Sequence, residues 1–417
     1  MKSFWQQYKS SMLLLAGLIL GGIVGVVFGE KATVLQPFGD VFLNIMFVML
    51  VPLVFFSISS AIANMNGMKR LGKIMLSTLL VFFSTALVAS IVGYIGISVF
   101  NPVKGIDVES VKALMGAPGD AEKITIGERI VKMFTVSDFH LLLSKSSMLP
   151  LIVFSILFGT ATSMAGKQGE AVVTFLNSAN SVMMKMVQLI MYYAPIGLGC
   201  YFASVIGTLG AKIIGGYARS FVLYLVIAVL YYIVFFTLYA FIAGGKAGVK
   251  IYWKNIATPS ITAIATCSSA ACIPVNLEYS KKMGVTPDIA ETVIPLGANT
   301  HKDGSVIGGV LKIAFLYGIF GKEMTSPSAM LTIILGAFLV GAVMGSIPGG
   351  GMIAEMLIVN LFGFPLEAVP VIVIISTIID VPATLLNSSG NNVSAMLVTR
   401  IVEGKNWLKD YLKANPV

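Results

Sequence analysis

Apolar residues in this chain do not alternate with polar ones; they run on. Stretches without a charged residue cover 10–29, 74–103, 186–211, 220–245 and 324–354, and 32–68 carries Asp40 alone. A helix rises 1.5 Å per residue and bilayer hydrocarbon is roughly 30 Å thick, so each stretch is long enough to cross it. The pattern predicts helices near 11–29, 38–64, 73–101, 145–166, 172–208, 212–244, 286–320 and 366–404. The first run is followed by Glu30-Lys31 and not by a small-residue cleavage site, so it reads as a retained helix.

The second half is patterned differently. Residues 255–277 carry no charge and are interrupted by Pro259, Pro274 and the polar run Thr266-Cys267-Ser268-Ser269. Residues 324–354 are interrupted by the glycine-rich run Gly345 to Gly351. Open backbone cannot face lipid, so each interruption must be buried in protein or line a cavity, which a re-entrant hairpin achieves. Each is followed by an apolar helix with polar residues inside: first Asn299-Thr300-His301-Lys302-Asp303-Gly304-Ser305, then a run from Asp380 to Asn392. Two such units in succession fit transporter repeats whose tips meet near the membrane midplane. Use of the same small residues for helix packing explains either interruption alone, but not their pairing.

Asp380 is the only charge between Glu367 and Arg400, and positions 380, 384, 387 and 391 step by four, three and four. On a helix, Asp380, Thr384, Asn387 and Asn391 therefore share one face. A carboxylate at membrane depth costs about 2.5–3.5 kcal/mol on insertion scales and persists where it meets water, a partner or a substrate. That face is the candidate binding surface.

Composition sharpens the class. At 57% hydrophobic and 11% charged residues the chain is an integral membrane protein, and its net charge of +9 resides in clusters such as Lys246/Lys250/Lys254 and Lys281/Lys282. These clusters can share one side if both termini are cytoplasmic, so the basicity is a topology signal and no nucleic-acid partner is expected. Cys200, Cys267 and Cys272 have neither metal-ligand nor disulfide spacing. An intramembrane hydrolase lacks a nucleophile with a defined base, and a dedicated pore does not need a binding face like that of Asp380.

The residues resemble the dicarboxylate/amino acid:cation symporter family, which includes the glutamate transporters. The likeness spans nearly the whole chain and rests on Tyr193-Ala-Pro-Ile-Gly197, Ser268-Ser269 with Ile273-Pro274-Val275, Pro295-Leu296-Gly297-Ala298, Asp303-Gly304, Pro348-Gly349, and Asp380 followed by Thr384, Asn387 and Gly390. It implies an all-α membrane protein with eight transmembrane helices plus two re-entrant helical hairpins in inverted repeats, assembled as a homotrimeric elevator in a prokaryotic plasma or inner membrane. Scaffold helices would occupy 1–72 and, with an external loop, 104–210. The transport domain would comprise 73–103 and 211–404, with a cytoplasmic tail at 405–417.

The resemblance also implies a substrate site of Ser268, Ser269, Ser305, Ile347, Pro348, Gly349, Asp380, Ala383, Thr384 and Asn387. In it Ser269 and Asn387 hold an α-carboxylate and Asp380 an α-ammonium. Members that carry acidic substrates have an arginine where this chain has Ala383 or Cys267, so small neutral L-amino acids are the expected substrates. Acidic amino acids or dicarboxylates are the alternative, with Lys302 as substitute cation.

The implied coupling-ion set is Ser84, Thr85, Gly297, Asn299, His301, Lys302, Asp303, Met344 and Asn391. Sodium-coupled members have Asn-Met-Asp where this chain has His301-Lys302-Asp303, and aspartate where it has Asn391. Lys302 beside Asp303 is therefore expected to stand in for bound cations. No cofactor is expected, sodium coupling is not expected, and His301 is either a proton carrier or a structural histidine.

Overall fold

The computed structural model describes residues 2–63, 69–100, 102–103, 131, 134–144, 147–209, 212–343 and 350–414, and the described residues contain no strand. In chain order the helices are α1 (Lys2–Phe28), α2 (Gln36–Ala63), α3 (Lys69–Val99), α4 (Met148–Met164), α5 (Glu170–Met191), α6 (Ala194–Leu209), α7 (Lys212–Leu230), α8 (Phe236–Asn255), α9 (Ala257–Thr266), α10 (Ile273–Lys282), α11 (Pro287–Thr300), α12 (Asp303–Ile319), α13 (Pro327–Val343), α14 (Gly350–Phe362), α15 (Ala368–Glu403) and α16 (Trp407–Ala414). Among the described residues, four helical stretches are long and apolar enough to cross a membrane, or five if the bent pair around Tyr192 is one span.

The helices fall into two packing groups. α1 crosses α6, and α2 packs against α4, α5 and α6. The α1–α6 crossing is close because Gly17, Gly21 and Gly25 recur every fourth residue: a Cβ on any of them would collide with the backbone of Pro195, Gly199 or Ala203. Small residues at this spacing let apolar helices approach where hydrophobic burial supplies little drive. In the other group α12 packs on α3, α13 and α15, while α15 also receives α7, α8, α9, α11 and α14. α3 thus joins the late helices despite its early place in the sequence.

Three boundaries differ from the sequence expectation. The helix expected at 172–208 is two, bent by 55°; Pro195 has no N–H to continue the hydrogen-bond ladder. The helix expected to end at 244 continues as α8 to Asn255, through a kink at Gly244 and Gly245 whose φ values are -150° and 62°; only glycine adopts the second readily. Between α7 and α8, Tyr231–Phe235 forms a π turn. The helix expected at 286–320 does break: His301 is extended (φ -93°, ψ 109°) and Lys302 is neither helical nor extended (φ -137°, ψ 47°).

Candidate functional site

The site is built where α12, α15 and the turn between α9 and α10 converge. α9 ends with Cys267 at φ 46°, the one non-glycine residue with positive φ among the described residues. Such a conformation is costly for a side chain bearing a Cβ and persists where surrounding structure imposes it. After the turn, Pro274 opens α10 at its first helical turn, where its missing N–H costs nothing.

The break between α11 and α12 decides where the three chemically distinctive residues go. His301 is extended and Lys302, with ψ 47°, is neither helical nor extended, so the two side chains leave the break in different directions, and Asp303 then starts α12 at the positive end of its dipole. His301 turns toward α3: its Nε2 lies 2.9 Å from Thr85 Oγ1, 3.3 Å from Asp303 Oδ1 and 3.5 Å from Ser394 Oγ. Phe82 stacks against the imidazole at 4.7 Å, and Gly390 leaves space for it, since a Cβ there would lie 2.8 Å from the ring. Asp303 Oδ2 accepts a 3.0 Å bond from Tyr231, which the π turn carries and which also meets Tyr239 at 3.1 Å.

Lys302 turns the other way. Its Nζ donates to Ala298 O at 2.8 Å and to Ser269 Oγ at 3.3 Å, and its electrostatic partner is Asp380. The expected Lys302–Asp303 pairing is thus not formed; the non-helical backbone at Lys302 carries the two groups to different partners. Lys302 is 5% exposed, yet among the described residues no carboxylate lies within ion-pair distance of it. It also borders a cavity of about 160 Å³ with Thr300, Val306 and Phe338.

On α15 the expected ladder is present. Asp380 is the only exposed residue between 368 and 400, so the carboxylate opens into accessible space within a buried helix. Thr384 follows it one turn on, on the same face of the helix. Asn387 exchanges two bonds with Ser305: its Oδ1 accepts from Ser305 N at 3.2 Å and its Nδ2 donates to Ser305 Oγ at 2.9 Å. Ala383 packs directly on Gly304, where any Cβ would strike the Ala383 backbone. Asn391 is fully buried with neither amide atom hydrogen-bonded, and Gly297 lies against it.

Other members of the polar run on α15 hold the first interrupted segment in place. Ser389 bonds Ser260 at 3.0 Å, Ser388 accepts from Asn276 at 3.0 Å, and Asn392 donates to Ser280 Oγ at 2.9 Å. Ser268 accepts from Ala271 N within its own turn. Ser84 is exposed and donates to Leu80 O, so it does not join the His301 cluster, while Asn299 is exposed and bonds Pro295 O. Met344, Ile347, Pro348 and Gly349 lie outside the described residues.

Sequence reasoning passed over one buried constellation. Lys312 on α12 is 2.6 Å from Glu355 on α14, and both bond Ser376 on α15, one turn before Asp380. Both are at most 2% exposed. The available signal was a charge deep within each apolar helix, Lys312 nine residues past Asp303 and Glu355 alone in α14, which in a membrane marks a partner or a pathway.

Comparison with known proteins agrees with this architecture. The model of the sodium:dicarboxylate symporter family matches residues 11–401. The chain is similar to the proton/sodium-glutamate symport protein of Geobacillus stearothermophilus, at 27% identity over 397 residues that cover 92% of each chain. It is 25% identical to the C4-dicarboxylate transport protein of Bacillus subtilis, over 93% of this chain and 92% of the relative. With the proton/glutamate-aspartate symporter of Escherichia coli it shares 25% identity, over 88% of this chain and 85% of the relative.

Proposed function

This chain belongs to the sodium:dicarboxylate symporter family, a family of membrane transporters, and on that footing we propose that it is a cation-coupled carrier of small acidic amino acids. The observation that carries the reading is Lys302: a buried cation, bonded to Ser269 beside Asp380, with no carboxylate at ion-pair distance among the described residues. A buried unpaired charge is costly, and a substrate carboxylate offsets that cost. Asp380 holds the substrate ammonium, and Ser269 with Asn387 takes a carboxylate through neutral donors, so an α-amino acid uses the whole set. The relatives named for glutamate, aspartate and C4-dicarboxylates favour this over the small neutral substrates expected from Ala383 and Cys267.

The neutral-substrate reading keeps one observation in its favour. Ala383 is apolar and 6% exposed on the ladder turn that follows Asp380. Competition for uptake into proteoliposomes discriminates the two: aspartate and glutamate displacing labelled substrate better than serine or alanine supports acidic transport. The reverse order sinks it.

Coupling follows from charge. Asp303, Asp380 and Lys302 together carry one net negative charge, and a proton at His301, 3.3 Å from Asp303, is the coupling cation of this proposal. Asp303 Oδ1 and Asn391 Oδ1, both without a hydrogen-bond partner, are oxygen donors for sodium as a second co-transported cation. Replacing sodium by choline at several proton gradients separates the two: uptake that persists and follows the proton gradient supports His301. In this proposal the protein works as a trimeric elevator of inverted repeats, with α1, α2, α4, α5 and α6 as scaffold, the remaining helices through α15 as the moving part, and both termini cytoplasmic.

A further inference from the structure

Away from the substrate site, a groove of about 470 Å³ opens between α3, α8 and the end of α15. Its walls are chiefly aliphatic, with Leu80, Val88 and Ile242 among them, and Arg400 and Lys405 stand at one end. Leu80 is 57% exposed and Ile401 49%, so the groove opens sideways onto hydrocarbon. The basic end coincides with the limit of the apolar bundle: α15 ends at Glu403, and Lys73 near the start of α3 bonds Val402 O at 3.0 Å. α16 adds to the same end. Trp407 bonds Ala243 O at 2.8 Å and Leu408 is buried, which leaves Lys409 and Lys413 exposed on the opposite face.

The floor of the groove connects to the coupling cluster. Thr85 and Tyr239 line it, and behind them lie His301, 2.9 Å from Thr85, and Asp303, reached from Tyr239 through Tyr231. An apolar slot beside lipid with cations at the headgroup end is complementary to one chemistry, an acyl chain ending in a negative headgroup. We propose that this groove binds an anionic phospholipid of the bilayer, headgroup on Arg400 and Lys405 and one chain against α3, and that the bound chain braces the Thr85 wall of the His301 cluster. The basic end is then a lipid-recognition surface as well as a topology signal. Binding of the lipid does not depend on which substrate is carried.

Full-length protein in nanodiscs, doped with spin-labelled phosphatidylglycerol or phosphatidylcholine, tests it directly. The expected result is a motionally restricted component that favours phosphatidylglycerol, falling about fivefold for each cation removed in Arg400→Gln and Lys405→Gln. Photoactivatable acyl-chain phosphatidylglycerol on the wild-type protein is the second arm, independent of any variant's folding; it should label peptides covering 80–88 and 397–401. Equal restriction of the two lipids, or labelling confined to other helices, overturns the proposal.

Discussion

His301 and Lys302 occupy consecutive positions in the break between α11 and α12, yet the first faces Thr85 and Asp303 while the second faces Ser269 and Asp380. Two non-helical residues, His301 extended and Lys302 at ψ 47°, suffice to separate them. One short interruption thereby supplies two neighbouring regions with one titratable group each. The His301 region is enclosed, with a carboxylate and hydroxyls around the ring. The Lys302 region is a cation beside the exposed acid of α15, with only neutral hydrogen-bond acceptors of its own. A closed region of this kind suits a small coupling cation, and an open one suits a substrate.

Lys312 provides the contrast that gives the comparison its force. It is a buried lysine with a permanent carboxylate, 2.6 Å away on Glu355. Lys312→Met leaves Glu355 buried and unpaired and should cost about 3–5 kcal/mol of stability, read as a lowered thermal midpoint. Lys312→Met/Glu355→Met should recover most of that loss. Lys302→Met should behave differently: binding of aspartate or glutamate weakens by about 2–4 kcal/mol in calorimetry while the thermal midpoint of the substrate-free protein holds, since Asp380, unlike Glu355, is exposed and leaves no buried carboxylate without a partner. A large loss of stability in Lys302→Met would make it a second Lys312 and erase the distinction.

The His301 side is broken by smaller effects. On the proposed proton coupling, His301→Gln should flatten the rise of uptake with an inward proton gradient, because it removes the imidazole 3.3 Å from Asp303; a gradient response equal to wild type contradicts this. Thr85→Val removes a single bond to the imidazole and should cost about 1 kcal/mol of stability, read as a small drop in thermal midpoint, leaving substrate preference unchanged.

The sequence made the face of α15 legible because a lone acid in an apolar helix, followed by polar residues at helical spacing, can serve few ends. The break at His301 and Lys302 was legible for the same reason. The direction each side chain takes was not, since it depends on two φ/ψ pairs, and reading Lys302 as the partner of Asp303 assumed that residues adjacent in sequence meet in space. Lys312 and Glu355 escaped notice because they lie 43 residues apart and each reads alone as an isolated charge. Serines 388 and 389, inside the same polar run, serve the contact with α9 and α10, a role that only the packing partner reveals.

The central claim is that Lys302 is the cation that receives a substrate carboxylate. Competition for uptake by wild type and Lys302→Met, with aspartate, glutamate, serine and alanine as competitors in proteoliposomes, tests it most directly. The account predicts that wild type prefers the acidic pair and that Lys302→Met loses that preference while retaining serine and alanine binding. An unchanged preference for the acidic pair in Lys302→Met, or a wild type that prefers serine and alanine, would contradict it.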